Sequence, residues 1–500
     1  MKKIVTRVSA FLLGILILTL SVVPAAASET FYTYTYDYWG DVKDCPDFYS
    51  VSAVLTASDL GLDVSLRNAD GLYAHGNNLY IMDSSNNRII ELERTGTDAL
   101  KVTRIVDSFK GNVSVKTLSN PTDMAIGEDG EWFICDQGNA RILKLDADLN
   151  YLMEFTIPID STLDEDLVFQ PKKLVIDTAG RVYACATGIN KGLVKYEADG
   201  TFSGFVGATP VSFDFIDYVW KKIATQEQRA QMEAFVPTEY DNVYMDSEGF
   251  IYAVTTDIDE EDLKSESIDA IRKLNLLGDD ILVRNGEYPV YGDLYMGTGG
   301  GYSGPSKFAD CTVFENDIYV CLDKNRGRLF GYNDQGEMVF AFGGNGNMDG
   351  YFKRPVAIEH MGYDLFVLDQ LDGSITIFTA TEFGNLVYNA IDLFDAGDYT
   401  GSGDYWQQVM DLNGNYDLAY IGIGRSLLRQ EEYKEAMEYF ELKYDDENYS
   451  KAFKQYRKEW VEDHIAGIII VIALLFLVPM TIGKIKSIKH ELETADIFKV

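Results

Sequence analysis

Histidine and positive charge are what this chain has least of. Its 500 residues include four His, and 43 Lys and Arg stand against 79 Asp and Glu, for a formal net charge of −36. So acidic a surface is repelled by a phosphate backbone, which excludes a nucleic-acid partner. Cysteine is scarce as well. Cys45, Cys135, Cys185, Cys311 and Cys321 make an odd set that cannot close into an intrachain disulfide framework, and their spacing matches no zinc pattern. The sequence has no nucleophile elbow, no zinc-binding His pair and no phosphate loop.

Long apolar runs are confined to the two ends. Lys2, Lys3 and Arg7, the apolar stretch Ala10 to Val23 and the small residues Ala25-Ala26-Ala27 read as an export signal over residues 1–27. Near the other end, Ile465 to Ile482 carries no charge, which predicts a transmembrane helix over 465–483. Glu462 and Asp463 precede it, and Lys484, Lys486 and Lys489 follow. That asymmetry predicts a cytoplasmic tail at 484–500, with the bulk of the chain outside a cell membrane and anchored by one span.

Between the ends the chain repeats itself. The segments LYIMD (79–83), WFICD (132–136), VYACA (182–186), IYAVT (251–255), IYVCL (318–322) and LFVLD (365–369) recur with Tyr80, Phe133, Tyr183, Tyr252, Tyr319 and Phe366 in register. The intervals leave room for four short strands each, bounded by Gly, Asn and Asp turns. Six such units predict an all-β six-bladed propeller over residues 28–380. Three units pair an Asp with an Arg five residues on: Asp83 with Arg88, Asp136 with Arg141, and Asp323 with Arg328. Their recurrence points to bracing of turns rather than catalysis. The Tyr-rich stretch Phe31 to Tyr38 alternates as a strand with one buried face, and the sixth unit is one strand short. It is therefore expected to complete the last blade. Residues 213–235 have helical spacing and predict a helical insertion, and the Gly-rich stretch 290–306 predicts a mobile loop.

The segment Phe342 to Ile358, FGGNGNMDGYFKRPVAI, resembles the inter-blade signature of the NHL-repeat family, with Gly343, Gly344, Gly350, Phe352 and Pro355 in place. Asn120-Pro121 and Gln170-Pro171 mark the same blade entry. The resemblance implies a propeller far more firmly than an activity, since such propellers serve as enzymes and as binding platforms. Residues 384–463 turn helical, with a 34-residue offset relating Ala390 to Gly424, Leu393 to Leu427, Ser402 to Ala436 and Trp406 to Phe440. The second copy resembles a tetratricopeptide helix pair. The first has a poor helix start in GDYTGSGDYW.

Candidate chemistry gathers where each innermost strand begins. Two residues past the Pro position, Asp70, Asp123, Lys173, Glu239, Asp310 and Ala357 are expected to face the central channel. Converging carboxylates call for positive charge. Lys173 supplies part of it, and Asp123 with Glu239 are candidate ligands for a divalent cation such as calcium. His75 and His360 are placed in turns between first and second strands, so a lyase with histidine-bound zinc is disfavoured. The leading reading is a non-catalytic scaffold that binds a ligand or protein. The alternative is a metal-dependent lactonase or hydrolase acting on a sugar derivative, by analogy with six-bladed lactonases. The layout of signal, propeller, helical repeats and single span resembles Gram-positive proteins, which implies association with subunits of a sugar-uptake transporter. The 32 Tyr are compatible with carbohydrate stacking, although most aromatics of a propeller serve its core.

Overall fold

The computed structural model describes residues 32–160, 163, 167–208, 240–265, 268–298 and 302–497. The export signal, Glu239 and the helical insertion lie outside them. The chain divides into two units, residues 1–385 and 386–500.

The first unit is a six-bladed β-propeller. Three N-terminal strands come first: β1 (Tyr34–Tyr36), β2 (Val42–Asp44) and β3 (Tyr49–Thr56). The first blade follows as β4 (Gly71–His75), β5 (Asn78–Asp83), β6 (Arg88–Arg94) and β7 (Leu100–Val106). The second is β8 (Pro121–Ile126), β9 (Trp132–Asp136), β10 (Arg141–Leu145) and β11 (Tyr151–Phe155), and the third β12 (Pro171–Ile176), β13 (Val182–Ala186), β14 (Leu193–Tyr196) and β15 (Phe202–Val206). The fourth has three strands, β16 (Asn242–Met245), β17 (Ile251–Val254) and, after the short helix α1 (Glu260–Lys264), β18 (Ile271–Leu274). The free edge of β18 is covered irregularly, where Ile281 N–H donates to Lys273 C=O at 2.7 Å. The fifth blade is β19 (Phe308–Val313), β20 (Tyr319–Asp323), β21 (Arg328–Tyr332) and β22 (Met338–Gly343), and the sixth β23 (Pro355–Met361), β24 (Asp364–Asp369) and β25 (Ser374–Ala380). Each repeated aromatic lies buried on its second strand, so the sequence repeat is the packing between blades.

Ring closure differs from the sequence expectation. The outer strand of the sixth blade is β3, paired with β25 from Ser374↔Thr56 to Ala380↔Tyr49. The Tyr-rich stretch instead forms β1, which pairs with β22 at Tyr34↔Ala341 and, with β2, extends the fifth blade to six strands. Two features of the chain explain this. Tyr49 to Thr56 gives an eight-residue strand, whereas the Tyr-rich run is stopped after Tyr36 by the Asp37–Asp41 turn. Tyr34 and Tyr36 also meet polar partners beside the fifth blade. Asp293 accepts from Tyr36 Oη at 2.5 Å and from Arg326 at 3.0 Å and pairs with Arg328, while Arg328 also donates to Tyr34 Oη at 2.9 Å. Arg326 in turn donates to Tyr295 C=O at 2.5 Å and Gly304 C=O at 2.7 Å, which anchors both flanks of the Gly-rich stretch expected to be mobile.

The Asp and Arg pairs brace turns in two blades. Asp83 accepts from Arg67 N–H at 2.8 Å and Arg88 Nε at 2.7 Å, and Asp136 from Ser119 N–H at 2.7 Å and Arg141 Nε at 2.9 Å. In the fifth blade Asp323 keeps the backbone bond, from Lys307 N–H at 2.9 Å, but Arg328 turns away to Asp293.

The helical unit begins within α2 (Glu382–Asp395) and continues through α3 (Tyr399–Leu412), α4 (Asp417–Arg429), α5 (Tyr433–Leu442) and α6 (Asp446–Ile497). The unpromising start of α3 is rescued by Asp398, whose carboxylate accepts from Gly401 N–H at 3.0 Å. Small residues set the spacing between helices. A Cβ on Gly422 would lie 2.3 Å from the Trp406 ring, and one on Gly424 2.6 Å from Phe440. Helix α6 contains one window long and apolar enough to cross a membrane.

The β3–β25 pairing yields a test. A chain starting at Ser58 is expected to melt at least ten degrees below one starting at Pro46 and to aggregate, because losing β3 opens the edge of the last blade. Equal, cooperative melting of the two would show that β3 does not close the ring.

Candidate functional site

Strand register identifies the channel positions. Asp123 pairs with Cys135, Lys173 with Cys185, Asp310 with Leu322 and Ala357 with Leu368, each after a bulge that follows the blade-entry residue. The same place is held in the first blade by Gly71, opposite Met82, and in the fourth by Asn242, opposite Val254. Of the expected channel residues, Asp70 is thus displaced, and Glu239 lies outside the described residues. Asp70 sits one position early, half-buried, where its carboxylate accepts from Gln370 Nε2 at 2.5 Å. The fourth blade enters its inner strand three residues later than Val236-Pro237 suggests, so Asn242 occupies the place assigned to Glu239. Gly71 is required by close approach, since a Cβ there would lie 2.5 Å from Thr122 C=O and 3.4 Å from Lys173 Nζ.

Period-two alternation adds a second ring of side chains on the same strands, which the repeat alignment missed: Tyr73, Tyr244, Thr312 and Glu359. The signal was present, because each stands two residues beyond a channel position.

Most of these polar groups bond across a blade junction. Asp123 Oδ2 accepts from Leu174 N–H at 2.8 Å and Asp310 Oδ2 from Ile358 N–H at 2.9 Å. Asn242 Nδ2 donates to Ala309 C=O at 3.1 Å, and Tyr73 Oη accepts from Ile126 N–H at 3.1 Å. Glu359 takes a backbone N–H from Ala74, which joins the sixth blade to the first. Thr312 Oγ1 meets His360 Nδ1 at 2.6 Å. His360 is therefore a residue of β23 and not of a turn. Burial lowers its pKa to about 4, which leaves it neutral at physiological pH.

Lys173 is the cation beside the described channel acids. Lys173 Nζ lies 3.6 Å from Asp123 Oδ1. Burial by itself would lower the lysine's pKa, but Asp123 and Asp310 hold it above the ordinary value. Burial pushes the Asp310 carboxyl up to about 6, against the opposing pull of Lys173 and of the N–H bonds from Ile358 and Cys311. Glu359 is driven well above the usual carboxylate range by burial and then by its neighbours Asp310 and Asp123. Among the described residues no group of three or more His, Cys, Asp or Glu side chains could hold a metal ion, and the Lys173 ammonium already neutralises Asp123. Cys135, Cys185, Cys311 and Cys321 are buried free thiols, in keeping with a packing role.

No protein-family model matches the chain, and no curated protein matches it. Similar solved structures include virginiamycin B lyase from Staphylococcus aureus, at 11% identity over 63% of this chain and 95% of that one, with a TM-score of 0.36. A streptogramin B lyase matches at 10% identity, 66% and 97% coverage and a TM-score of 0.38. A structural genomics protein of unknown function from Bacteroides thetaiotaomicron VPI-5482 matches at 9% identity, 70% and 76% coverage and a TM-score of 0.40. Likeness at this level assigns no activity to the chain.

Two measurements probe the channel. Lys173→Met is expected to cost about 3–5 kcal/mol of unfolding free energy in detergent, because it strands buried carboxylates without their counter-charge. An unchanged denaturation midpoint would show that Lys173 is not their partner. The second follows from proton linkage. Asp310 titrates at about 6 when folded, above the ordinary value of about 3.9 for an unfolded Asp, so its stabilising contribution is complete below the lower value and lost as pH rises through the upper. Asp123 and Glu359 shift in the same direction, while Lys173 stays charged. Unfolding free energy of the parent should fall between pH 4 and 6 with a steeper slope than that of Asp310→Asn. Identical slopes would remove Asp310 as a titrating group.

Proposed function

We propose that this chain is a non-catalytic scaffold, anchored in a cell membrane by the apolar part of α6, with its propeller and helical repeats on the extracytoplasmic side. The observation that carries the reading is the channel chemistry. Where a propeller enzyme would present uncommitted acids, the described acids here bond the backbone of the next blade or share the Lys173 ammonium. The propeller then serves as a rigid platform for a protein or carbohydrate ligand. The helix pairs, read as tetratricopeptide-like from their 34-residue recurrence, set its position above the membrane. The partners in best accord with the layout are membrane subunits of a sugar-uptake transporter.

Topology is tested first. Protease added to intact protoplasts should digest residues 28–463 and leave a membrane-embedded fragment carrying 484–500, as the one-sided lysines predict. Full protection of the propeller would reverse the orientation. Partner binding is tested by affinity capture of the full-length protein from solubilised membranes. Stoichiometric recovery of integral membrane subunits is expected. A clean capture of the chain alone, together with measurable lactone hydrolysis lost in Asp123→Asn, would replace the scaffold with a hydrolase.

A further inference from the structure

Helix α6 extends over 52 residues, with Pro479 inside it, about 78 Å at 1.5 Å per residue, of which an apolar span of ordinary thickness uses about 20 residues. One face of it is uncharged from Phe453 to Leu492. Starting at Phe453, the positions Tyr456, Trp460, His464 and Gly467 return every three or four residues, the spacing that stays on one side of a helix. Within the span the same face continues through Val471, Leu474, Val478 and Thr481. Beyond it come Ile485, Ile488 and Leu492, each more than half exposed although Lys484, Lys486 and Lys489 mark a return to water. The charged residues of both flanks stand off this line.

The two faces of the span differ. Within the span the seam presents Gly467, Val471, Leu474, Val478 and Thr481, whereas the opposite side presents Ile465, Ile469, Ile472, Phe476 and Met480. Small side chains allow helix backbones to approach within a membrane, and bulky ones suit lipid. Two polar side chains on the seam bond within α6. Thr481 Oγ1 donates to Leu477 C=O at 2.9 Å, and His464 Nδ1 meets Trp460 C=O at 2.9 Å while its ring stacks on the Trp460 indole at 4.5 Å.

We infer that this seam docks, along most of its length, a transmembrane helix of a different protein that carries an acidic side chain level with Lys484 and Lys489. Charge decides against a second copy of this chain. In a parallel pair packed through Ile485 and Ile488, Lys484 of one copy would face Lys489 of the other. An acidic partner residue converts that repulsion into attraction. The inference rests on the anchored reading above and gives its partner a chemical description.

The test places the photoreactive residue benzoylphenylalanine in the full-length chain, in membranes of the cells that make it. Leu474 and Ile485 on the seam are compared with Phe476 and His490 on the far side, and alkaline extraction confirms insertion of every variant. The seam positions should both give an adduct of one added mass, at least ten-fold stronger than the far positions. Lys484→Glu with Lys489→Glu should cut the Ile485 adduct several-fold, and the corresponding Arg pair should retain it. Equal yields on both faces, no adduct at any position, or an adduct of twice the chain mass would each overturn the inference. Stoichiometric capture of membrane subunits without seam adducts would leave the scaffold reading standing and remove only the seam.

Discussion

The propeller depends on how its blades are joined around a narrow axis. Each blade is a small antiparallel sheet that cannot bury both faces alone, and the inner strands converge where backbone groups of neighbouring blades face one another. The chain meets that constraint with side chains placed once per blade at the start of β8, β16 and β19, and two residues further along β4 and β23. Asp123, Asn242 and Asp310 bond the inner strand of the following blade, and Tyr73 and Glu359 do so from the second ring. Three buried acids in one channel need positive charge, and Lys173 supplies it from the remaining strand, β12. Gly71 then has to be glycine, because the Thr122 carbonyl occupies the space where a Cβ would go. A sequence feature that looks like reactive chemistry is, in its geometry, the fastening of the ring.

What was legible in the sequence was whatever repeats. The six buried aromatics and their flanks specify six blades, because burial between sheets demands the same residue type at the same place in each. The channel was legible where a Pro marks blade entry, since Asp123, Lys173 and Ala357 follow Pro121, Pro171 and Pro355 at a fixed distance, and Asp310 follows Phe308 at the same distance. The first blade enters through Asn68-Ala69. Asn68 and Asn120 share the left-handed backbone, with φ of 45° and 48°, so Asn68 was the true marker and Asp70 corresponds to Thr122. In the fourth blade no Pro stands at the corresponding place, and Asn242 carries neither charge nor motif. Glu359 escaped notice because a lone Glu on a strand is unremarkable until the ring brings it beside Asp310 and Asp123.

Ring closure was half legible for a different reason. That the last blade lacked a strand followed from counting, and that an N-terminal strand would fill the place followed from the lack of any other. Which strand fills it depends on contacts more than 300 residues away, for which the sequence offers no periodicity. The Tyr alternation signalled a strand truthfully, but its destination is set by Asp293, Arg326 and Arg328, none of which lies in a repeat-defined position relative to it. Arg328 illustrates the trade. It stands where Arg88 and Arg141 brace their turns, yet here Asp323 takes backbone donors and Ser306, with Arg326 Nε at 3.9 Å, and the Arg328 guanidinium turns to Asp293 and to Tyr34 of the N-terminal strand.

The two units satisfy their buried groups in opposite ways. In the propeller, Asp123, Asn242, Asp310 and Tyr73 find backbone partners on the neighbouring blade. In α6 what is left uncovered is apolar area on one face, which continues past the apolar window to Ile485, Ile488 and Leu492, where water makes such area unfavourable. Binding energy is available where a folded chain leaves surface uncommitted. By that criterion the described channel acids hold the ring together, and the partner proposed above is sought along the long helix, where apolar area is left uncovered.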